Sequence, residues 1–344
     1  MHTRHCTCVA ERPQRFAFRL VARFPTHKLS VPDDKYIAQI VGVNPMPAAA
    51  GVLLADLANG TVRLFAPHTG ALGALLHRTA GADSQVYTAL AASADAVYVV
   101  ESRDVSRLVG PVINNERVYS LLAVRRRADA PDDWRADCAV EFFRMSHIEG
   151  YYNAHVCFAG RTLLCGVENS RRITAVECDE SGALKRGGHV DFDEVLFDVA
   201  TFESGSDRRL VACFGDNSLR LFAISSAAAD PALSLSELWH TQCPRPGRVL
   251  VSGARILVTD SLDEAEEPKL WLWRAEANRL ELQQVLRLPP NELVVQCWCT
   301  HGDDIVVFND VEAELDLFQC ATISEFIDCY MEIAKRTNSI LSLQ

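Results

Sequence analysis

The chain has 344 residues, 49% apolar and 23% charged, with a formal net charge of −11 and lysines only at 28, 35, 185, 269 and 335. These proportions exclude general disorder, and the acidic balance excludes general polyphosphate binding, so nucleic acid is not an expected direct partner. No window approaches the ~20 apolar residues of a membrane span, and residues 1–14, MHTRHCTCVAERPQ, lack the apolar stretch of a secretory signal.

In chain order, residues 1–14 read as a disordered tail. Phe16 to Phe24, FAFRLVARF, alternates apolar and polar residues and reads as a lone strand. A first group of strands follows at Ile37 to Val43, Val52 to Ala55, Val62 to Phe65 and Leu72 to Leu76, with Asn59-Gly60 as a tight-turn signal. The second group is Val86 to Leu90, Ala96 to Val100, Val118 to Val124 and Cys138 to Phe143. It carries an insertion, Ser102 to Glu116, which Gly110-Pro111 and Asn114-Asn115 mark as a loop. The third group runs Tyr152 to Phe158, Leu163 to Val167, Ile173 to Val176 and a weak strand near His189. The fourth and fifth span Val195 to Trp239 and Val249 to Leu286. A sixth, from Leu293 to Phe318, lacks its outer strand, for which residues 16–24 are the obvious donor. Beyond it, Ser324-Glu325 looks like a helix start, with Phe326, Ile327, Tyr330, Met331 and Ala334 at helical spacing.

Each group holds an apolar run that ends in a carboxylate at or before a turn. The markers are Asp56, Glu101, Glu168, Asp216, Asp260 and Asp310, spaced by 45, 67, 48, 44 and 50 residues. A repeat of about 40–50 residues built from short strands is the signature of a β-propeller. The expected fold is therefore all-β. A single propeller of six four-stranded blades covers residues 15–320, residues 16–24 close the last blade, and 321–344 form a short C-terminal helical extension. Seven blades is the competing count, with residues 14–35 and the tail as the extra one. The six carboxylates are expected to hold turns by accepting nearby backbone N–H groups.

Two stretches, LLADLANGTVRLF at Leu53 and LVACFGDNSLRLF at Leu210, resemble WD-repeats. Asp56 and Asp216 match that family's turn aspartate, and Phe65 and Phe222 stand where it has tryptophan. No repeat keeps the Trp-Asp dipeptide or the preceding Gly-His pair, so the resemblance is to a divergent member. It implies a non-catalytic scaffold, or a subunit of a multiprotein complex, with other proteins as partners.

Signatures of nucleotide binding and of the nucleophile elbow are missing. His2, His5, Cys6 and Cys8 are zinc-ligand types at a spacing too tight for a known finger. Cys157, Cys165, Cys213, Cys297 and Cys320 sit in apolar runs as small hydrophobes, which points to reduced thiols in the cytoplasm or nucleus. Isolated histidines such as His155 and His240 read as packed residues. The expectation is no enzyme, no metal, no cofactor and no small-molecule substrate. The alternative is a calcium-dependent lactonase-like propeller hydrolase using Glu168, Asn169, Asp216, Asn217 and Asp310. For partners, the compact cluster Arg125, Arg126 and Arg127 is the candidate surface. Insertions 102–116 and 125–137 belong to one repeat and are expected side by side.

Overall fold

The apolar runs become strands that pair antiparallel in sequence order, four at a time. A computed structural model of the chain describes residues 16–25, 27, 29, 34, 36–46, 51–81, 83–109, 112–130, 132–146, 152–179, 183–204, 207–225, 233–243, 246–260, 269–287, 295–301, 304–309 and 314–322. The strands are β1 (Phe16–Pro25), β2 (Ile40–Met46), β3 (Gly51–Asp56), β4 (Thr61–Ala66), β5 (Ala71–Arg78), β6 (Ser84–Ser93), β7 (Ala96–Val109) and β8 (Val112–Arg126). There follow β9 (Trp134–Ser146), β10 (Ala154–Ala159), β11 (Thr162–Val167), β12 (Arg172–Cys178), β13 (Leu184–Asp191), β14 (Leu196–Ser204), β15 (Asp207–Phe214) and β16 (Ser218–Ser225). The last are β17 (Ser234–Gln242), β18 (Pro246–Ser252), β19 (Arg255–Asp260), β20 (Lys269–Ala275), β21 (Leu280–Arg287), β22 (Val295–His301), β23 (Asp304–Asn309) and β24 (Glu314–Thr322).

Five sheets take consecutive strands, β2 to β5, β6 to β9, β10 to β13, β14 to β17 and β18 to β21; the remaining sheet has the order β1-β24-β23-β22. The innermost strands β2, β6, β10, β14, β18 and β22 touch in that order, and β22 returns to β2. The result is a single all-β propeller, without an α-helix among the described residues. Of the helical extension expected at 321–344, Ala321 and Thr322 instead end strand β24; its remainder and the tail at 1–14 lie outside the described residues.

The continuous apolar runs follow from this arrangement. A strand in the middle of a sheet that is covered on both faces must be apolar at every position, not at alternate ones. All six residues of β3 are buried. Its alternation instead sorts them between two interfaces. Val52 and Leu54 pack with Phe65, Val306 and Phe308 on one side, while Leu53 and Ala55 pack with Val86, Val97 and Val99 on the other. Burying each such side chain contributes about 2 kcal/mol, so the interfaces outweigh any single polar contact described below. The outer strand β13, LKRGGHVD, has no fully buried residue. It pairs with β12 alone among its sheet's strands, and its weak sequence signal reflects that exposure.

Five of the six inner strand pairs carry a β-bulge at the same place, where the inner strand begins. The register slips between Ile40 and Gly42, Val86 and Thr88, Leu196 and Asp198, Pro246 and Val249, and Val295 and Cys297. Only β10–β11 runs without a slip. Bulges increase local twist and re-aim the residue that follows. At Gly42 the consequence is steric, since a Cβ there would lie 2.6 Å from the Tyr87 carbonyl oxygen and 2.8 Å from Thr88 Cα. Only glycine lets β2 approach β6 this closely.

The second group differs from expectation in two ways. Residues 102–116 do not form a loop; they lengthen β7 and β8 into one ladder that stays in register from Ala96↔Arg125 to Val109↔Val112. Nor do the two insertions adjoin. They occupy opposite ends of β8, so Glu116 and Arg125 are separated by roughly 30 Å at ~3.3 Å per residue. In a four-stranded antiparallel blade, the second and third turns necessarily fall on opposite faces of the ring.

β1 lies antiparallel to β24, from Phe16↔Thr322 to Pro25↔Glu314, with one slip between Leu20 and Ala22. Residues 16–25 therefore belong to the sheet of β22 to β24 and do not start a further sheet. Removing residues 1–25 should leave β24 with an unpaired edge. The expected outcome is aggregation or loss of a cooperative melt, followed by circular dichroism and light scattering. An unaltered melting temperature would show that β1 contributes nothing to closure.

Candidate functional site

A cavity of about 330 Å³ lies on the ring axis and is lined by residues from all six inner strands. His155, Asp198 and Arg248 lie near the start of their inner strands, the last two at a bulge. Gly42 opposes Ala55, His155 opposes Gly166, Asp198 opposes Cys213 and Cys297 opposes Phe308, each one step before the end of the second strand, while Thr88 opposes Val100 well inside the longer β7. Arg248 falls in the slip between Pro246 and Val249.

Asp198 joins three inner strands. Its Oδ1 lies 2.9 Å from His155 Nδ1 and accepts from the Val199 N–H at 2.8 Å, while Oδ2 accepts from the Val249 N–H at 2.8 Å. Burial alone would push this carboxyl up. The His155 ring, the Arg248 guanidinium and the Val249 amide more than offset that and hold it below the usual carboxylate range. Since the carboxylate can only accept, His155 Nδ1 donates, which leaves Nε2 as the free lone pair of the neutral ring. Arg248 reaches over β14 to Glu168, at 3.2 Å, and donates to the Phe197 carbonyl at 3.4 Å. Cys157, two residues after His155, has its thiol pushed up by burial to about 12, so it is protonated at neutral pH and is no nucleophile.

Four of the six marker carboxylates have described side-chain contacts, and these do different jobs. Asp56 accepts from the N–H groups of Gln39 at 2.9 Å, Ala58 at 3.1 Å and Asn59 at 3.4 Å, and from the Asn59 side chain at 2.7 Å. It thus holds the β3–β4 turn and ties it to the approach to β2. Desolvation outweighs those bonds and leaves its carboxyl above the ordinary range. Asp216 holds the β15–β16 turn through the Ser218 amide and hydroxyl and the Arg220 guanidinium. Burial pushes it up, but Ser218 and Arg220 keep it below the ordinary range. Glu101 and Glu168 instead make ties between sheets, to His77 at 3.0 Å and to Arg248. Asp260 ends β19 opposite Pro246, and Asp310 lies outside the described residues.

Of the residues named for the lactonase-like alternative, Asp310 is not among the described ones, and the other four are not gathered into a cation site. Glu168 is committed to Arg248 and Asp216 to Arg220. Asn169 and Asn217 sit in turns with φ of 60° and 63°. Among the described residues, no three His, Cys, Asp or Glu side chains form a cation site. Residues 1–15, including His2, His5, Cys6 and Cys8, lie outside the described residues.

Arg125, Arg126 and Arg127 stand at the far end of β8, and each already faces an aspartate: Asp137 at 3.5 Å, Asp95 at 3.5 Å, and Asp129 with Asp133. Such exposed pairs contribute about 0–1 kcal/mol, but they neutralise the cluster. Sequence reasoning missed that four aspartates within reach would cancel it. It also passed over His155, Asp198 and Arg248. A usable signal was present, because each is a charged or titratable residue interrupting the first apolar run of its repeat, as HVCF, FDVA and RVLV.

The architecture is shared with solved propellers. The chain is similar to the Cps50 (Swd1) β-propeller domain of Myceliophteria thermophila, with 13% identity and a TM-score of 0.52 over 81% of this chain and 83% of that one. It is similar also to the soluble aldose sugar dehydrogenase of Escherichia coli in its apo-form, with 10% identity and a TM-score of 0.57 over 89% and 99%. A glucose dehydrogenase aligns with 11% identity and a TM-score of 0.54 over 89% and 99%. At these identities the likeness is one of fold alone, and the class it defines is the β-propeller. The sequence matches no family model and no curated protein.

The Asp198 network has a measurable pH signature. Its carboxyl is depressed in the folded chain, so its stabilisation is present above the unfolded value of ~3.9 and fades as pH falls through the lower folded value. Asp198→Asn should cost about 3 kcal/mol at pH 7, since Arg248 loses a buried counter-charge and the Val249 amide and His155 Nδ1–H lose a charged acceptor. It should also shrink the acid-induced loss below about pH 4. Urea midpoints at pH 7, 4 and 3 measure both; an acid limb identical to the parent's would show that this carboxylate does not carry it.

Proposed function

We propose that this protein is a non-catalytic, divergent WD-repeat-like propeller that serves as a scaffold for other proteins in a multisubunit assembly. The observation that carries this reading is the arm formed by the long β7–β8 ladder. β6 accompanies β7 only from Ser84↔Arg103 onward into the sheet. From Val105 to Val109 no strand among the described residues lies along the β7 edge facing away from β8. An open strand edge on a rigid base is the setting in which an extended segment of a partner adds by main-chain hydrogen bonding.

The base of the arm is rigid for identifiable reasons. Arg117, 2% exposed, meets Asp104 through two bonds, Nε to Oδ1 at 2.8 Å and Nη2 to Oδ2 at 3.0 Å. Beside it the Tyr119 hydroxyl donates to the Tyr152 carbonyl at 3.1 Å, and the Tyr87 hydroxyl donates to Gln85 at 3.1 Å. Arg117 is buried while the Asp104 side chain is 32% exposed, so losing their two bonds would cost about 1.5–3 kcal/mol, enough to keep the arm root from fraying easily. The likeness to the Cps50 (Swd1) propeller domain fits this reading but, being one of fold alone, does not carry it.

Replacing residues 106–115 by Asn-Gly joins the paired residues Val105 and Glu116 through a tight hairpin turn. The shortened protein should melt within a few degrees of the parent, because Asp104 and Arg117 are kept. Affinity purification with quantitative mass spectrometry from the source cells should then lose the proteins recovered with the parent. Recovery of the same proteins in the same amounts would remove the arm as the partner surface.

A further inference from the structure

We propose that the axial cavity is a binding site for a small neutral polyol, a molecule whose hydroxyl groups both donate and accept hydrogen bonds. This goes beyond the scaffold reading and does not depend on the arm. Two nitrogens on walls lined by strands half a ring apart lack any hydrogen-bond partner although both are buried: His155 Nε2 on β10 and Trp298 Nε1 on β22. The His155 side chain is 10% exposed and Trp298 9%. Buried polar atoms are normally satisfied, so each such exception asks for an occupant.

The two atoms are chemically complementary. With Nδ1–H given to Asp198, His155 offers a lone pair at Nε2; indole Nε1–H can only donate. One hydroxyl donor and one oxygen acceptor would satisfy both. Several other polar side chains of the wall already have partners: Asn44 donates to Thr88 at 2.9 Å, Thr201 to the Phe158 carbonyl at 2.6 Å, and Arg248 to Glu168. The charged side chains are already engaged, Asp198 by the His155 Nδ1–H and two backbone amides, and Glu168 by Arg248. A charged occupant would find none of them open to it, which favours a neutral molecule. The cavity volume is at the lower end of the range for small-molecule sites. Both nitrogens are covered in the unliganded chain, so binding must shift the two rings, and Trp298 becomes a reporter.

The test titrates the full chain with xylitol, myo-inositol and D-glucose, with gluconate and glucosamine as charged counterparts. The readouts are tryptophan fluorescence, melting temperature and the ring-nitrogen NMR signals of His155. The expected result is a saturable change with at least one neutral polyol, accompanied by a shift of the His155 Nε2 signal. His155→Phe and Trp298→Phe should each weaken binding by about tenfold, the scale of one hydrogen bond. The NMR shift in the unmutated protein keeps the test decisive should either variant fail to fold. Absence of saturable binding by all three polyols, with water alone at the two nitrogens, would overturn the proposal. So would tighter binding of gluconate or glucosamine, or affinities unchanged in both variants.

Discussion

The structure depends on burying both faces of every sheet at once. A single four-stranded sheet here has an apolar surface on each side, and neither can be left to solvent. Val52 and Leu53, adjacent in sequence, belong to cores shared with different neighbours. The same holds farther round, where Leu163 packs toward the second group of strands and Leu164 toward the fourth. Only a closed ring satisfies that demand for all the sheets, and closure needs a last sheet assembled from the two separated parts of the sequence. The charged ties at Asp198, Glu101 and Glu168 add register to an assembly whose energy comes from apolar area.

Much of the architecture was legible in the sequence, for definite reasons. Second strands announce themselves as unbroken apolar runs, and Asn59-Gly60 marks its turn because Gly60 adopts a φ of 59°. The alternation of FAFRLVARF suits an outer strand with one covered face. The insertion after Ser102 misled, because Gly110-Pro111 and Asn114-Asn115 are loop signals on a local reading. In the structure the ladder of β7 with β8 runs on past Asn114 and Asn115, which pair with Arg107 and Ser106. Propensity at two positions gave way to pairing along fourteen.

The site was less legible than the fold. Asp56 and Asp216 could be read as turn carboxylates because the bonds that hold their turns are local, within four residues or so. His155, Asp198 and Arg248 could not be assembled that way, since their meeting depends on three inner strands arriving at one register. Bulges set that register for Asp198 and Arg248, and bulges leave no reliable mark in composition. The arginine cluster shows the converse error. Three adjacent like charges look like a surface feature, yet the partners that cancel them include Asp95, thirty-one residues upstream of Arg126.

The pairing of β1 with β24 also has a consequence in time. Residues 16–25 and 314–322 must meet, so the contact that completes the ring spans nearly the whole sequence and cannot form on a ribosome until the last strand has emerged. Until then β1 lacks its partner strand, and the interface between the sheets of β2 and β22 stands open. Contacts of such sequence separation slow folding, because loop closure must precede the stabilisation it brings. A cell making this protein therefore holds an open-edged chain for the length of its translation, and its demand for chaperones should rise with the rate of synthesis more than with the amount of finished protein.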